Sequence, residues 1–149
     1  MFGDIYRKKR VLVTGHSGFK GSYLGWWLSQ LGAEVCGLAL PPETDPNHLT
    51  LLGESLKLAE SLWCDVRDEA GLTAAVDRFR PEIIFHLAAQ PLVRRSYAEP
   101  AATFGVNVMG TVNVLEAIRR TPSVRAAVIV TSDKCYENRE RHEGYREDE

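Results

Sequence analysis

The sequence predicts an α/β domain on a doubly wound parallel sheet. Three observations carry the prediction. A short apolar run near the start, Val11-Leu12-Val13, breaks on a glycine triplet. Four further apolar runs follow, separated by segments of helical period. With 149 residues, 44% hydrophobic and 26% charged, the chain can bury one core of its own.

The first element is a strand on Val11-Leu12-Val13, which breaks on Thr14-Gly15. Gly15, Gly18 and Gly21 follow it, spaced G-x-x-G-x-x-G. The first glycine permits a tight turn, the second lets backbone approach a ligand, and the third lets helix pack closely on strand. Such a turn aims unpaired N–H groups and the positive end of a helix dipole at one point, which suits a pyrophosphate. Tyr23, Leu24, Trp27, Leu28 and Leu31 then recur at helical spacing, and Gly32 sits where a C-cap glycine belongs. Trp26 and Trp27 read as packing residues.

A second strand, Glu34 to Leu40, completes a strand-helix-strand unit of nucleotide-binding size. An acid near the end of such a strand takes the adenosine ribose hydroxyls, but Ala39 and Leu40 stand there. Glu43 comes only after Pro41-Pro42, and no arginine lies nearby in sequence to receive a 2′-phosphate. NAD and NADP both stay open, with the balance toward NAD. Residues 41 to 55 read as a loop with about one helical turn, and His48 as solvated.

Leu58 to Cys64 is the third strand; Asp65 at its end reads equally as an acceptor for the adenine amino group or as a cap or turn residue. Glu69 to Arg80 is a helix stopped by Pro81. Glu82 to Ala89 is a nearly continuous apolar strand, as expected of one covered on both faces, and its lone His86 reads as a satisfied core residue. Pro100 opens a long helix, Ala101 to Arg120, with Val108, Val112 and Leu115 on one face. Asn107 inside it needs a partner, either a backbone carbonyl or a site water.

Arg125 to Thr131 is the fifth strand, with the apolar run Ala126 to Val130, and it ends in Thr131-Ser132-Asp133-Lys134. Right-handed crossovers give a Rossmann-type strand order 3-2-1-4-5, with the cofactor domain over 1–136. Residues 137–149, with six acids against three arginines, read as a polar loop or frayed end.

Composition narrows the function classes. A net charge of −2 argues against a nucleic-acid surface, and the basic run Arg7 to Arg10 reads as a solvated lead-in. No run comes near a membrane span, and no signal-peptide core follows the basic start. Cys36, Cys64 and Cys135 lack C-x-x-C spacing, so they read as packing residues in a reducing cytoplasm, with no metal site.

TGHSGFKGSYL, HLAAQPLVRRSY, the Asn107 helix and TSDKCYENRE resemble the N-terminal part of the extended short-chain dehydrogenase/reductase family. His16, Phe19-Lys20 and Asp133-Lys134-Cys135-Tyr136 narrow the resemblance to its nucleotide-sugar 4,6-dehydratases, and to the branch acting on CDP-glucose. The dTDP-sugar branch carries Asp-Glu where Asp133-Lys134 stands here.

The resemblance implies an internal redox cycle. NAD takes hydride from C4 of the sugar, the ketone makes the C5 proton removable, water leaves from C6, and the hydride returns there. The product is CDP-4-keto-6-deoxyglucose, a precursor of deoxysugars in bacterial surface polysaccharide such as O-antigen. Ser132 is then the hydrogen-bond donor to the C4 oxygen, Asp133 the acid for the departing hydroxyl and Lys134 the C5 base.

By the same resemblance Gly15, Ser17, Gly18, Phe19 and Gly21 bind pyrophosphate, and Asp65 and Val66 bind adenine. Leu87, Ala88, Ala89 and Gln90 take the ribose side, Thr131 the nicotinamide half, and Asn107 supports the water network. Lys20 is either a phosphate contact or a solvated lysine.

The family's Tyr-x-x-x-Lys pair is missing: Tyr136 is followed four places on by Glu140, and Tyr145 by Glu149. The resemblance thus implies a truncated enzyme, inactive by itself, lacking the remaining strands and the substrate domain, and a homodimer through the Asn107 helix when full length. Two alternatives stay open: an epimerase or reductase of the same superfamily, and a non-catalytic NAD-binding module.

Overall fold

The structure, a computed structural model, describes residues 2–132 and 135–148. Five parallel strands, β1 (Arg10–Thr14), β2 (Glu34–Ala39), β3 (Glu60–Trp63), β4 (Ile83–His86) and β5 (Ala126–Ile129), lie in the order β3-β2-β1-β4-β5. β2 to β5 are each shorter than the stretch expected for them, because pairing ends where the chain turns off toward the next crossover, whereas β1 extends one residue beyond Val11–Val13 at each end. In register, Leu12 faces Cys36 on one side and Ile84 on the other, and Thr14 faces Leu38 and His86.

Alternation along β1 divides the core in two. Leu12, Cys36, Leu38 and Ile84 pack with Leu72, Val76 and Phe79 of α3 (Glu69–Phe79) and with Val114 and Ala117 of α6 (Gly110–Arg120). Val11, Val13 and Val35 pack with Leu28 of α1 (Phe19–Gln30) on the other face. Asp68 caps α3 by accepting from Gly71 N at 3.0 Å, and Arg80 ends it in the left-handed region before Pro81.

The face α1 buries differs from the one expected. Its buried residues are Gly21, Ser22, Gly25 and Leu28, while Tyr23 and Trp27 are 47% and 43% exposed. Helical spacing of the glycines brings this backbone close to the sheet, and the aromatic residues are left outside. Trp27 does pack, but on the Phe2 ring at 5.5 Å.

The long helix is also more articulated than expected. α5 (Pro100–Phe104) runs through a π turn, Gly105–Met109, into α6. Gly110, Val114 and Ala117 face the core; Val108, Val112 and Leu115 are exposed. By length and composition, residues Pro100–Arg120 suffice to cross a membrane, contrary to the sequence expectation, although one side of this helix is built into the core.

Two further α-helices are short. α2 (His48–Leu52) is the helical turn expected between residues 41 and 55, and α4 (Val93–Ala98) was not foreseen. Residues 137–148 form no helix or strand, yet Tyr136 and Tyr145 stack at 5.1 Å. The basic lead-in is only partly solvated: Lys9 pairs with Glu82 at 2.6 Å, and the Arg10 guanidinium lies 4.6 Å from the centre of the Phe79 ring.

The cysteines are graded in exposure rather than uniformly packed. Cys36 is buried, Cys64 half-buried and Cys135 exposed, all free thiols. Burial, with Glu60 adding and Arg78 and Arg10 opposing, pushes the Cys36 thiol up to about 12. Since the thiolate is the nucleophile, native protein treated with iodoacetamide is expected to label at Cys135 first and at Cys36 only on unfolding. Mass spectrometry of a time course checks this; early Cys36 labelling would contradict the packing.

Candidate functional site

A cavity of about 790 Å³ opens at the carboxyl edge of the sheet, where open parallel sheets bind ligands. Gly15, Ser17, Gly18, Phe19, Lys20 and Gly21 form one wall, and Asp65 with Val66 another. Leu87, Ala88, Ala89 and Thr131 line it from the ends of β4 and β5.

The glycines have separate physical reasons. Gly15 has φ +75°, and a Cβ there would stand 2.7 Å from Ala88 N. At Gly21 a Cβ would fall 2.0 Å from the Gly15 carbonyl oxygen, backbone against backbone. At Gly18 the nearest atom to an added Cβ is 3.4 Å away, so the protein itself leaves room for a side chain. What glycine provides there is access to the helix N-terminus.

Two expected site residues lie behind the wall rather than in it. Asn107 Nδ2 donates to the Gln90 carbonyl at 3.1 Å, and its Oδ1 accepts from Gln90 N at 2.7 Å. Of the two partners open to that amide, the backbone is the one it takes. Thr14 Oγ1 accepts from Leu87 N and Ala88 N, both at 3.2 Å, and lies 2.7 Å from His86 Nδ1; His86 Nε2 lies 3.1 Å from Thr111 Oγ1. His86 is therefore the satisfied core histidine the sequence suggests, 2% exposed, and burial holds its pKa below the ordinary range.

Asp65 Oδ1 accepts from Arg67 N at 2.9 Å, and its carboxylate pairs with the Arg67 guanidinium at 2.6 Å. That hydrogen bond and charge hold the Asp65 carboxyl below the usual carboxylate range. Asp65 is thus a turn residue on the cavity wall, and the cap of α3 is Asp68. Ser132, exposed, follows Thr131 past the end of β5; Asp133 and Lys134 lie outside the described residues.

Three features escaped the sequence. His48 is not solvated: its Nδ1 lies 2.6 Å from Ser22 Oγ and its ring 4.1 Å from that of Tyr23, which ties α2 to α1 beside the cavity. An arginine does stand near the loop after β2, since Arg95 on α4 donates to Glu43 at 3.3 Å. Both partners are exposed, so this pair contributes little to stability. His16 is fully buried, its Nε2 2.8 Å from Ser61 Oγ and its ring stacked on Trp63 at 5.4 Å. Contacts between residues so far apart in sequence leave no local signal.

A glycine turn at the carboxyl edge of a parallel sheet ordered 3-2-1-4-5 defines a Rossmann-type domain. The chain belongs to the family described as GDP-mannose 4,6 dehydratase, matched over residues 12–148. It is 49% identical over 146 residues to the CDP-glucose 4,6-dehydratase of Salmonella typhimurium, a match covering 98% of this chain and 40% of that protein.

Among solved structures it resembles an epimerase of Methanothermobacter thermautotrophicus, with TM-score 0.81 and 28% identity over 97% of this chain and 41% of that one. It also resembles the UDP-glucose-4-epimerase of Stenotrophomonas maltophila, solved with NAD and formylated UDP-arabinopyranose. There the TM-score is 0.78 and the identity 26%, over 90% of this chain and 40% of that one. The chain spans about 40% of the length of these proteins.

Proposed function

We propose that this chain is the cofactor-holding part of an NAD-dependent dehydratase that converts CDP-glucose to CDP-4-keto-6-deoxyglucose. The observation that carries the reading is the cavity at the glycine turn, in a chain 49% identical to a CDP-glucose 4,6-dehydratase. Gly15, Ser17, Gly18, Phe19 and Gly21 offer backbone N–H groups to the pyrophosphate. Asp65 and Val66 take adenine, Leu87 to Gln90 the ribose side, and Thr131 the nicotinamide half. Asn107 acts by holding Gln90 in place.

When bound, NAD supplies a reversible hydride acceptor. Ser132 donates a hydrogen bond to the C4 oxygen of the sugar. Lys134, as a neutral amine, removes the C5 proton, and Asp133, kept protonated, gives its proton to the departing C6 hydroxyl. These 149 residues contain no Tyr-x-x-x-Lys pair, so on their own they bind cofactor without turnover. The exposed Val108, Met109, Val112 and Leu115 suit a dimer face along the helix of Asn107.

Calorimetric titration with NAD, NADP and CDP-glucose, beside an assay for the keto sugar, tests the reading. Binding of NAD with no keto sugar formed is the expected result. Turnover by this chain alone would refute its inactivity, and failure to bind NAD would refute the cofactor role.

A second reading, an epimerase, draws on the solved structures the chain resembles. It is separated by Lys134→Ala in a protein that carries this sequence together with the Tyr-x-x-x-Lys pair. A dehydratase should then lose water elimination while still oxidising C4, whereas an epimerase should be little affected.

A further inference from the structure

We propose that His86, as the neutral Nε2–H tautomer, is a positioning residue that fixes both ends of the cofactor loop Leu87 to Gln90. The proposal rests on the reading of that loop as a cofactor contact.

The proton inventory decides the tautomer. The Asn107 carbonyl can only accept, and Thr111 Oγ1 lies 2.7 Å from it, so Thr111 spends its hydroxyl proton there. The lone pairs of Thr111 Oγ1 are left to face His86 Nε2 at 3.1 Å, so Nε2 carries a hydrogen. On the other side, Thr14 Oγ1 receives the N–H of Ala88 and shares that of Leu87 with the Thr14 carbonyl oxygen, each contact at 3.2 Å, so both of its lone pairs face amide donors. Its own proton is then directed at His86 Nδ1, 2.7 Å away, which must be bare.

The opposite tautomer conflicts with both neighbours. Hydrogen on Nδ1 would give Thr14 Oγ1 a third donor and no acceptor for its own proton. A bare Nε2 would draw the Thr111 proton away from Asn107. A charged ring would overload Thr14 in the same way, and burial of the ring also disfavours it.

The two bonds of one ring thus reach both ends of the loop. Through Thr14 it fixes the amides of Leu87 and Ala88, which line the cavity. Through Thr111 it fixes the carbonyl of Asn107, whose side chain grips Gln90 by two hydrogen bonds. Asn107 sits in the π turn Gly105–Met109, and such turns occur often at functional sites.

The test is a ¹⁵N spectrum of the histidine rings in the 149-residue chain, with His86 assigned by the signals lost in His86→Gln. The expected result is hydrogen on Nε2 and none on Nδ1. Thr111→Val, which removes the acceptor for Nε2–H, should shift the ring toward a mixture of tautomers. Thr14→Val should weaken NAD binding by roughly tenfold or more, while Thr14→Ser, which keeps the hydroxyl, should stay within about twofold of wild type.

Hydrogen on Nδ1 or a charged ring at neutral pH would overturn the assignment. So would Thr14→Val binding NAD as tightly as Thr14→Ser. A wild-type chain that binds no NAD would sink the cofactor reading instead, and the ring spectrum alone would then decide for or against the tautomer.

Discussion

Gly21→Ala is expected to abolish cofactor binding and to cost about 3 kcal/mol or more of stability, because its Cβ would fall 2.0 Å from the Gly15 carbonyl oxygen and 2.9 Å from His16 Cα. No rotamer can relieve a contact between two backbone segments. Either the first turn of α1 lifts off the sheet or the Gly15 turn deforms.

Two neighbouring glycines supply the comparison. Gly25 lies on the same buried face, but a Cβ there would meet Leu56 and Leu58 side chains at 3.6 Å, an ordinary contact. Gly25→Ala should therefore be neutral or stabilising by about 0.5–1 kcal/mol through helix propensity. Gly18→Ala should fold normally, since 3.4 Å separates its Cβ from the nearest protein atom, yet it should lose NAD binding by roughly tenfold or more because a methyl would stand where the pyrophosphate approaches.

Urea unfolding and NAD titration of the three variants read the two effects apart. A fully stable Gly21→Ala variant would show that the helix does not need its close approach. Undiminished NAD binding by Gly18→Ala would place the pyrophosphate elsewhere.

The sheet was readable because its signals are local. Each strand except the edge strand β3, Glu60-Ser61-Leu62-Trp63, is built on a short apolar run, the crossovers have one hand, and these together point to the 3-2-1-4-5 order. The buried face of α1 was misread for a physical reason. Counting apolar residues favours Tyr23 and Trp27, but a helix that packs by its glycines buries the face with least side chain on it.

Much of the cavity wall was legible from the glycine motif and from the ends of β4 and β5. Its supports were less so. Thr14 with His86 and Asn107 with Gln90 join residues 72 and 17 apart, and Ser22 with His48 joins residues 26 apart. Such pairings depend on the crossovers being in place, so periodicity and turn signals cannot announce them. The arginine missing from the sequence around Glu43 was supplied by α4, an element with no strong pattern of its own.

The fit between Gly37 and His16 shows what such a distant pairing demands of a strand. In β2, Gly37 pairs in register with Val13 and Ser61, and a Cβ on it would stand 2.3 Å from His16 Cγ. The ring cannot easily retreat, being held by Ser61 Oγ and the Trp63 ring. Gly37→Ala should therefore destabilise the chain by about 2–3 kcal/mol, combining overpacking with strain on a buried hydrogen bond. Without the clash the sign would reverse, since alanine in a strand is favoured over glycine by about 0.5–1 kcal/mol.

His16→Ala separates the two. On its own it costs stability by emptying a fully buried site, but it frees the space beside Gly37. In that background Gly37→Ala should be neutral or stabilising, giving a coupling energy of about 2–3 kcal/mol between the positions. Four urea unfolding curves measure it. A coupling near zero would mean that the imidazole moves aside at no cost, so that glycine at position 37 would need another cause.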